Sequence, residues 1–127
     1  CASEGIAVAG YSPLGSGLLS GKYKRGETGR LSQNERYAAR YNVPQMYAAA
    51  DALGALAEKL HTHPATLAVA WAAHHPAAPM PIISARNADQ LMPSLHARHY
   101  TMDDALYARI AALMPAPPPA TDRLEET

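Results

Sequence analysis

Hydrophobic positions recur along this chain in two rhythms. Ile6-Ala7-Val8-Ala9-Gly10 is a short, nearly continuous apolar run, and Ile82-Ile83-Ser84 is a second. Runs of this length suit strands of a parallel sheet, buried on both faces. Elsewhere the interval becomes three or four. Met46, Ala49, Leu53, Leu56, Ala57 and Leu60 recur at helical spacing, which predicts an amphipathic helix over about residues 45–60. Pro64 suits a first helical position, and Leu67, Ala70, Trp71 and His74 mark one face of the helix that it opens. Pro79 and Pro81 end that helix and introduce the second strand, where proline is tolerated at the first residue. Asn87 with Gln90 has the spacing of a capping box and starts another helix. Thr101 with Asp104 is a clearer box, and Leu106, Ile110 and Leu113 give its helix an apolar stripe. Gly5 follows what reads as a helix tail.

Strand, long polar segment, helices, strand and two further helices predict an α/β fold with a parallel sheet. The arithmetic then turns awkward. Two parallel strands leave sheet edges open and make a marginal unit, whereas a (β/α)8 barrel takes roughly 250 residues. At 127 residues, the expected architecture is the C-terminal portion of a (β/α)8 TIM barrel, the last two strands with their helices, incomplete as given. Residues 1–114 form that part with its ligand loops, and residues 115–127, with prolines at 117–119, form an extended tail. The chain opens on Cys1 rather than methionine, so an N-terminal part is expected to be missing.

Composition excludes more than it assigns. Eleven basic side chains balance eleven acidic ones, which argues against a general nucleic-acid binder and against a polybasic membrane module. The apolar stretch from Ala65 to Ala73, broken only by Thr66, is far short of the roughly 20 residues that span a bilayer. One cysteine rules out an internal disulfide and fits a reducing cytoplasm. The six histidines fall in three close pairs, but no cysteine or carboxylate completes a recognisable ligand set, so no metal site is expected.

Charge is unevenly distributed. Lys22, Lys24, Arg25, Arg30, Arg36 and Arg40 lie between residues 22 and 43, opposed only by Glu27 and Glu35, a local net charge of +4. The same stretch shows no periodicity, and long aperiodic segments in compact domains are often lids or binding loops. It also follows the end of a strand, where parallel-sheet proteins put ligands. The turn that leads into it, Tyr11 to Tyr23, fits none of the standard loops. A P-loop would need glycine at Ser16 and Ser or Thr at Tyr23. A dinucleotide fingerprint from Gly15 would need Gly or Ala at Ser20, and a nucleophile elbow at Ser12 would need glycine at Leu14. What remains is a backbone that Gly15, Gly17 and Gly21 let approach a ligand, with free amides and Lys22 beside it. The second strand leads into Ser84-Ala85-Arg86-Asn87, an arginine beside a helix N-terminus, which makes an anion site. In (β/α)8 barrels the loops after strands 7 and 8 frequently build a phosphate site.

Taken together, Tyr11-Ser12-Pro13-Leu14-Gly15-Ser16-Gly17-Leu18-Leu19, Gly21-Lys22-Tyr23 and Pro81-Ile82-Ile83-Ser84-Ala85-Arg86-Asn87 with Gln90-Leu91 resemble the C-terminal third of an aldo-keto reductase. Pro64 to Trp71 matches the family's seventh-helix region, and the resemblance runs from about residue 3 to residue 113. It implies NADPH-dependent reduction of an aldehyde or ketone. By it, Ser12, Pro13, Leu14, Gly15 and Gly17 wrap the pyrophosphate, with Lys22 beside it and Arg30 reaching in from the covering segment. Tyr11 lies against the nicotinamide, Arg86 holds the 2′-phosphate, and Ser84 and Gln90 complete the adenosine end. The family's Asp, Tyr, Lys and His catalytic set is expected upstream of Cys1, so no catalytic residue is assigned here and the chain alone is expected to be inactive. The implied partners are a small carbonyl substrate and the missing N-terminal part of the barrel. The alternative is a non-catalytic nucleotide-binding subunit similar to the potassium-channel β-subunits. Three positions depart from the family's pattern: Ser84 replaces a usual glycine, Pro93-Ser94 replaces Glu-Asn at the adenine, and His63 replaces a better capping serine before Pro64. Pro93 also falls inside a predicted helix, at a cost of about 3 kcal/mol unless the helix bends.

Overall fold

A computed structural model describes residues 1–115, so all but the first residue of the expected tail lies outside the described residues. Strands β1 (Ala9–Tyr11) and β2 (Met80–Ile82) flank four helices: α1 (Arg30–Gln33), α2 (Glu35–Tyr41), α3 (Pro44–Lys59) and α4 (Pro64–Ala73). Helices α5 (Ala88–His96) and α6 (Asp104–Ala111) follow β2, and short 3-10 turns occupy Ala2–Glu4, Leu18–Ser20 and Ala97–His99. The strands pair in parallel, Ala9 with Met80, Gly10 with Pro81 and Tyr11 with Ile82. The fold is α/β, with its strands ending at the same side.

Both strands differ from the expected apolar runs. The first begins at Ala9 rather than Ile6, and the second ends at Ile82 rather than Ser84. Neither is buried: Tyr11 is 73% exposed, and Met80 and Ile82 are exposed too. The reason is geometric, since only two strands pair among the described residues and each keeps an open edge. Pro81 sits mid-strand. Because Met80 donates to the Val8 carbonyl (2.8 Å), strand alternation turns the Pro81 nitrogen away from β1, where no ladder bond is lost.

The core belongs to the helices. Leu53, Leu56 and Ala57 of α3 meet Leu67, Ala68 and Ala70 of α4, with Met102 and Ile110 closing the cluster. Helix α3 follows its predicted stripe, with Pro44 in its first turn. In α4 every residue from Ala65 to Ala70 is buried, not one face, because α3, α5 and β2 all pack around it. Trp71 donates from Nε1 to the Tyr107 carbonyl (3.2 Å), and their rings stack 5.5 Å apart. Three caps correct the sequence reading. His63 does cap α4, its Nδ1 accepting from the Ala65 amide (3.0 Å). Asp103, not Thr101, caps α6 by accepting from Leu106 N (2.7 Å). Asn87 accepts from Gln90 N, but the Gln90 side chain turns to the Arg86 amide, so only half the box forms. Pro93 does lie inside α5, and the Thr66 hydroxyl donates to its carbonyl (2.6 Å), tying that helix to α4.

The stretch from residue 22 to 43 is the largest correction. Its absence of aliphatic periodicity hides α1 and α2. Leu31 is buried in a second cluster with Leu18 and Ala50, and Tyr37 and Tyr41, four apart on α2, pack against it. Asn34 caps α2 through the Arg36 amide (3.0 Å).

Candidate functional site

Because β1 and β2 are parallel, the segments that follow them converge, and they enclose a cavity of about 700 Å³. That volume falls in the usual range of small-molecule and cofactor sites. Tyr11, Ser12, Pro13, Leu14, Gly17, Lys22 and Arg30 line it from the first strand's side, and Ser84, Arg86 and Gln90 line it from the second's. Gly15 alone among the expected residues stays out. Its α-carbon faces the ring of Tyr41, within 3.6 Å of where a β-carbon would stand.

The turn after β1 is built on left-handed backbone at Ser12, Gly15, Ser16 and Gly17. For the two serines this conformation costs roughly 1–2 kcal/mol each. The amides from Gly15 to Gly21 are taken up within this turn, so fewer are left free than the sequence reading expects. Those of Gly15, Gly17, Leu18 and Leu19 donate to carbonyls within the turn, and that of Ser16 donates to the Ser12 hydroxyl (3.2 Å). Side chains are left to face the cavity. Ser16 is 6% exposed, and its Oγ has no hydrogen-bond partner among the described residues. A buried hydroxyl without a partner is costly, and a bound polar group would relieve it. The Tyr23 hydroxyl donates to the Ser16 carbonyl (3.2 Å) and accepts from the Leu31 amide (3.1 Å), clamping the turn to α1.

Lys22 runs through a slot between two glycines. A β-carbon on Gly17 would stand 2.7 Å from its Cε, and one on Gly29 would collide with its Nζ. Gly17 is favoured by its φ of +88° as well as by the closeness of Lys22, whereas Gly29 has extended backbone and only the closeness, which the flexible lysine end can yield. Arg30 lies over the Tyr37 ring, 5.6 Å from its centroid. Arg86 donates to the Gln33 side chain (3.1 Å), joining the β2 segment to α1 across the cavity. Arg25 pairs with Glu27 (2.8 Å).

Sequence reading missed Ser16, Arg25, Arg40, Tyr41 and His63 as lining residues. In the sequence Arg40 is one of a charged run, and its recurrence with Tyr37 on one helical turn is the available signal. The cavity thus gathers Lys22, Arg25, Arg30, Arg40 and Arg86 against Glu27 and Asp89. Of these five cations, only Arg25 pairs with a carboxylate among the described residues. Burial, and then the charge of Arg25, hold the His63 imidazole below its ordinary value, which keeps Nδ1 free to cap. Arg40 shifts the other way, its charged form favoured by hydrogen bonding to Tyr11 and then by Tyr41. Elsewhere His74 pairs with Asp104 (3.0 Å), and no three metal-ligating side chains come together among the described residues. No described helix is long and apolar enough to cross a membrane.

Comparison with known proteins adds a lineage. The profile of the Aldo/keto reductase family matches residues 1–115. Protein tas of Escherichia coli (strain K12) is 29% identical over 112 residues, covering 87% of this chain and 32% of that protein. The uncharacterized oxidoreductase YrpG of Bacillus subtilis (strain 168) is 27% identical over 113 residues, covering 89% and 33%. The chain spans about a third of the length of these curated relatives.

Proposed function

The chain belongs to the aldo/keto reductase family, and on that premise we propose that it is the NADPH-binding part of a reductase acting on an aldehyde or ketone. The remaining strands of the (β/α)8 barrel, and the acid that protonates the product, belong to the other two-thirds of such a protein. The observation that carries this reading is a cavity where both strand ends deliver cations, Lys22, Arg30 and Arg86, that no carboxylate among the described residues pairs, around the orphaned Ser16 hydroxyl. Its donor set fits a dinucleotide. Ser16 Oγ and the Lys22 ammonium would hold the pyrophosphate, and Arg30 would cover it from α1. Arg86 would exchange its Gln33 partner for the 2′-phosphate, a stronger, charge-assisted contact. Ser84 and Gln90 would flank the adenosine, while buried Ser94 leaves the adenine contact to Pro93. Tyr11, exposed at the carboxyl end of β1, would set the face of the nicotinamide. Bound there, NADPH supplies hydride to a carbonyl carbon. The reading places the protein in the cytoplasm, where that cofactor is abundant.

Arg86→Ala in the full-length gene product tests it. NADPH binding should weaken by about 1–3 kcal/mol while NADH binding scarcely changes. Equal losses for the two cofactors, followed by fluorescence titration, remove Arg86 from the phosphate role.

A further inference from the structure

Two carboxylates line the cavity, Glu27 and Asp89. Glu27 is taken by Arg25 (2.8 Å), whereas no cation among the described residues pairs with Asp89. Asp89 lies exposed in the first turn of α5 and shares the cavity wall with Arg86, Gln90 and Pro93. The helix does not need it as a cap, since Asn87 accepts from the Gln90 amide (3.0 Å). Asp89 and Pro93 stand four residues apart, which sets their side chains one above the other on the face that lines the cavity. That face is held from both ends. The Thr66 hydroxyl donates to the Pro93 carbonyl (2.6 Å), and the Arg86 amide donates to the Gln90 side chain (3.4 Å). A proline ring can carry the flat face of a base, but its side chain has no polar atom for the base's edge. Ser94, only 4% exposed, does not reach the cavity either.

Resting on the proposed function, which sets the adenosine among Ser84, Gln90 and Pro93, we propose that Asp89 accepts a hydrogen bond from the 6-amino group of the adenine, so that the site selects adenine over purines with an oxo group at that position. Side chains one helical turn apart stand about 5–6 Å from each other at their β-carbons, so a base resting on Pro93 has its edge within reach of the carboxylate. The exocyclic amine donates and the carboxylate only accepts, so the two are matched; carboxylates read the amine of cytosine in the same way. Hypoxanthine carries an oxygen in place of the amine and would meet the carboxylate lone pair to lone pair.

The test uses the full-length gene product and measures, by fluorescence titration, the Kd of NADPH and of its hypoxanthine analogue. Both dinucleotides carry the same phosphates, so the ratio of the two constants reports the base alone, and any repulsion between Asp89 and the phosphates cancels. Wild type should favour NADPH about tenfold. Asp89→Ala should bring the ratio to within about twofold by weakening NADPH. Asp89→Asn should reach a similar ratio by the opposite route. Its amide accepts from the amine or, turned over, donates to the oxygen, so the analogue tightens while NADPH moves less than about threefold. A preference that survives Asp89→Ala overturns the proposal. So does an equal change in both constants, which would leave Asp89 a charge at a helix N-terminus and nothing more. Wild-type protein that binds the two dinucleotides alike sinks this inference alone; protein that binds neither sinks the proposed function with it.

Discussion

The helical layer and the cavity side of this molecule solve opposite problems with neighbouring residues. Around Leu67, which has no exposed surface, α3, α4 and α6 meet through aliphatic side chains and small alanines. Such packing takes its stability from area removed from water. Around Ser16, the turn after β1 keeps left-handed serines, an orphaned hydroxyl and unpaired cations. The strained serines and the orphaned hydroxyl cost stability in the free protein, and an anionic ligand would satisfy the hydroxyl and the cations. The lesson is that strain and surplus charge mark the second region as a site more clearly than its shape does.

Substitutions can break that contrast or sharpen it. The largest effect belongs to the helical layer. Leu67→Ala should destabilise the full-length gene product by about 2–5 kcal/mol, read from its denaturant midpoint, while the NADPH dissociation constant of the folded fraction stays put. A loss under about 1 kcal/mol would mean that the helical cluster is not the core. Gly17→Ala should show the reverse balance. Left-handed backbone costs alanine roughly 1–2 kcal/mol, but the new methyl would also push Lys22 from its slot. NADPH affinity should therefore fall about tenfold; unchanged affinity with lowered stability would reduce Lys22 to a packing residue. The smallest effect joins the two regions at His63, which caps α4 and lines the cavity. Its value is lowered on folding, so the unfolded chain binds the proton more readily. The cap's contribution is complete above the ordinary imidazole value near 6.5 and is lost as pH falls through the lowered one. His63→Asn, which caps without titrating, should flatten the pH dependence of Tm between pH 7.5 and 5 by an amount worth about 1 kcal/mol or less. An identical pH profile in wild type and variant would dissociate the cap from the titration.

Legibility in the sequence followed the physics of each element. Helices α3 and α4 were readable because aliphatic spacing and an N1 proline act locally, through the helix's own period. Parallel pairing was readable from element order, but strand limits were not. Those depend on where a ladder partner stands, as Pro81 opposite Gly10 illustrates. Helices α1 and α2 were invisible because their buried face is made of Leu31, Tyr37 and Tyr41 amid charges, a pattern that aliphatic periodicity does not detect. At the site, glycines and cations announced the turn and Arg86. The space above Gly29 depended on tertiary contacts that no local window contains.

The register of β1 against β2 also sets a timetable. It joins Ala9 to Met80, positions 71 residues apart, whereas the contacts of α3 with α4 are nearly local. At roughly 5–20 residues per second of synthesis, β1 emerges about 4–14 s before its partner exists. Helices form in about a microsecond, so α3 and α4 can pair with each other while β1 still waits for β2. A strand of three residues offers little to a stray chain during that wait, and its shortness limits the hazard of edge-to-edge association that a longer one would carry.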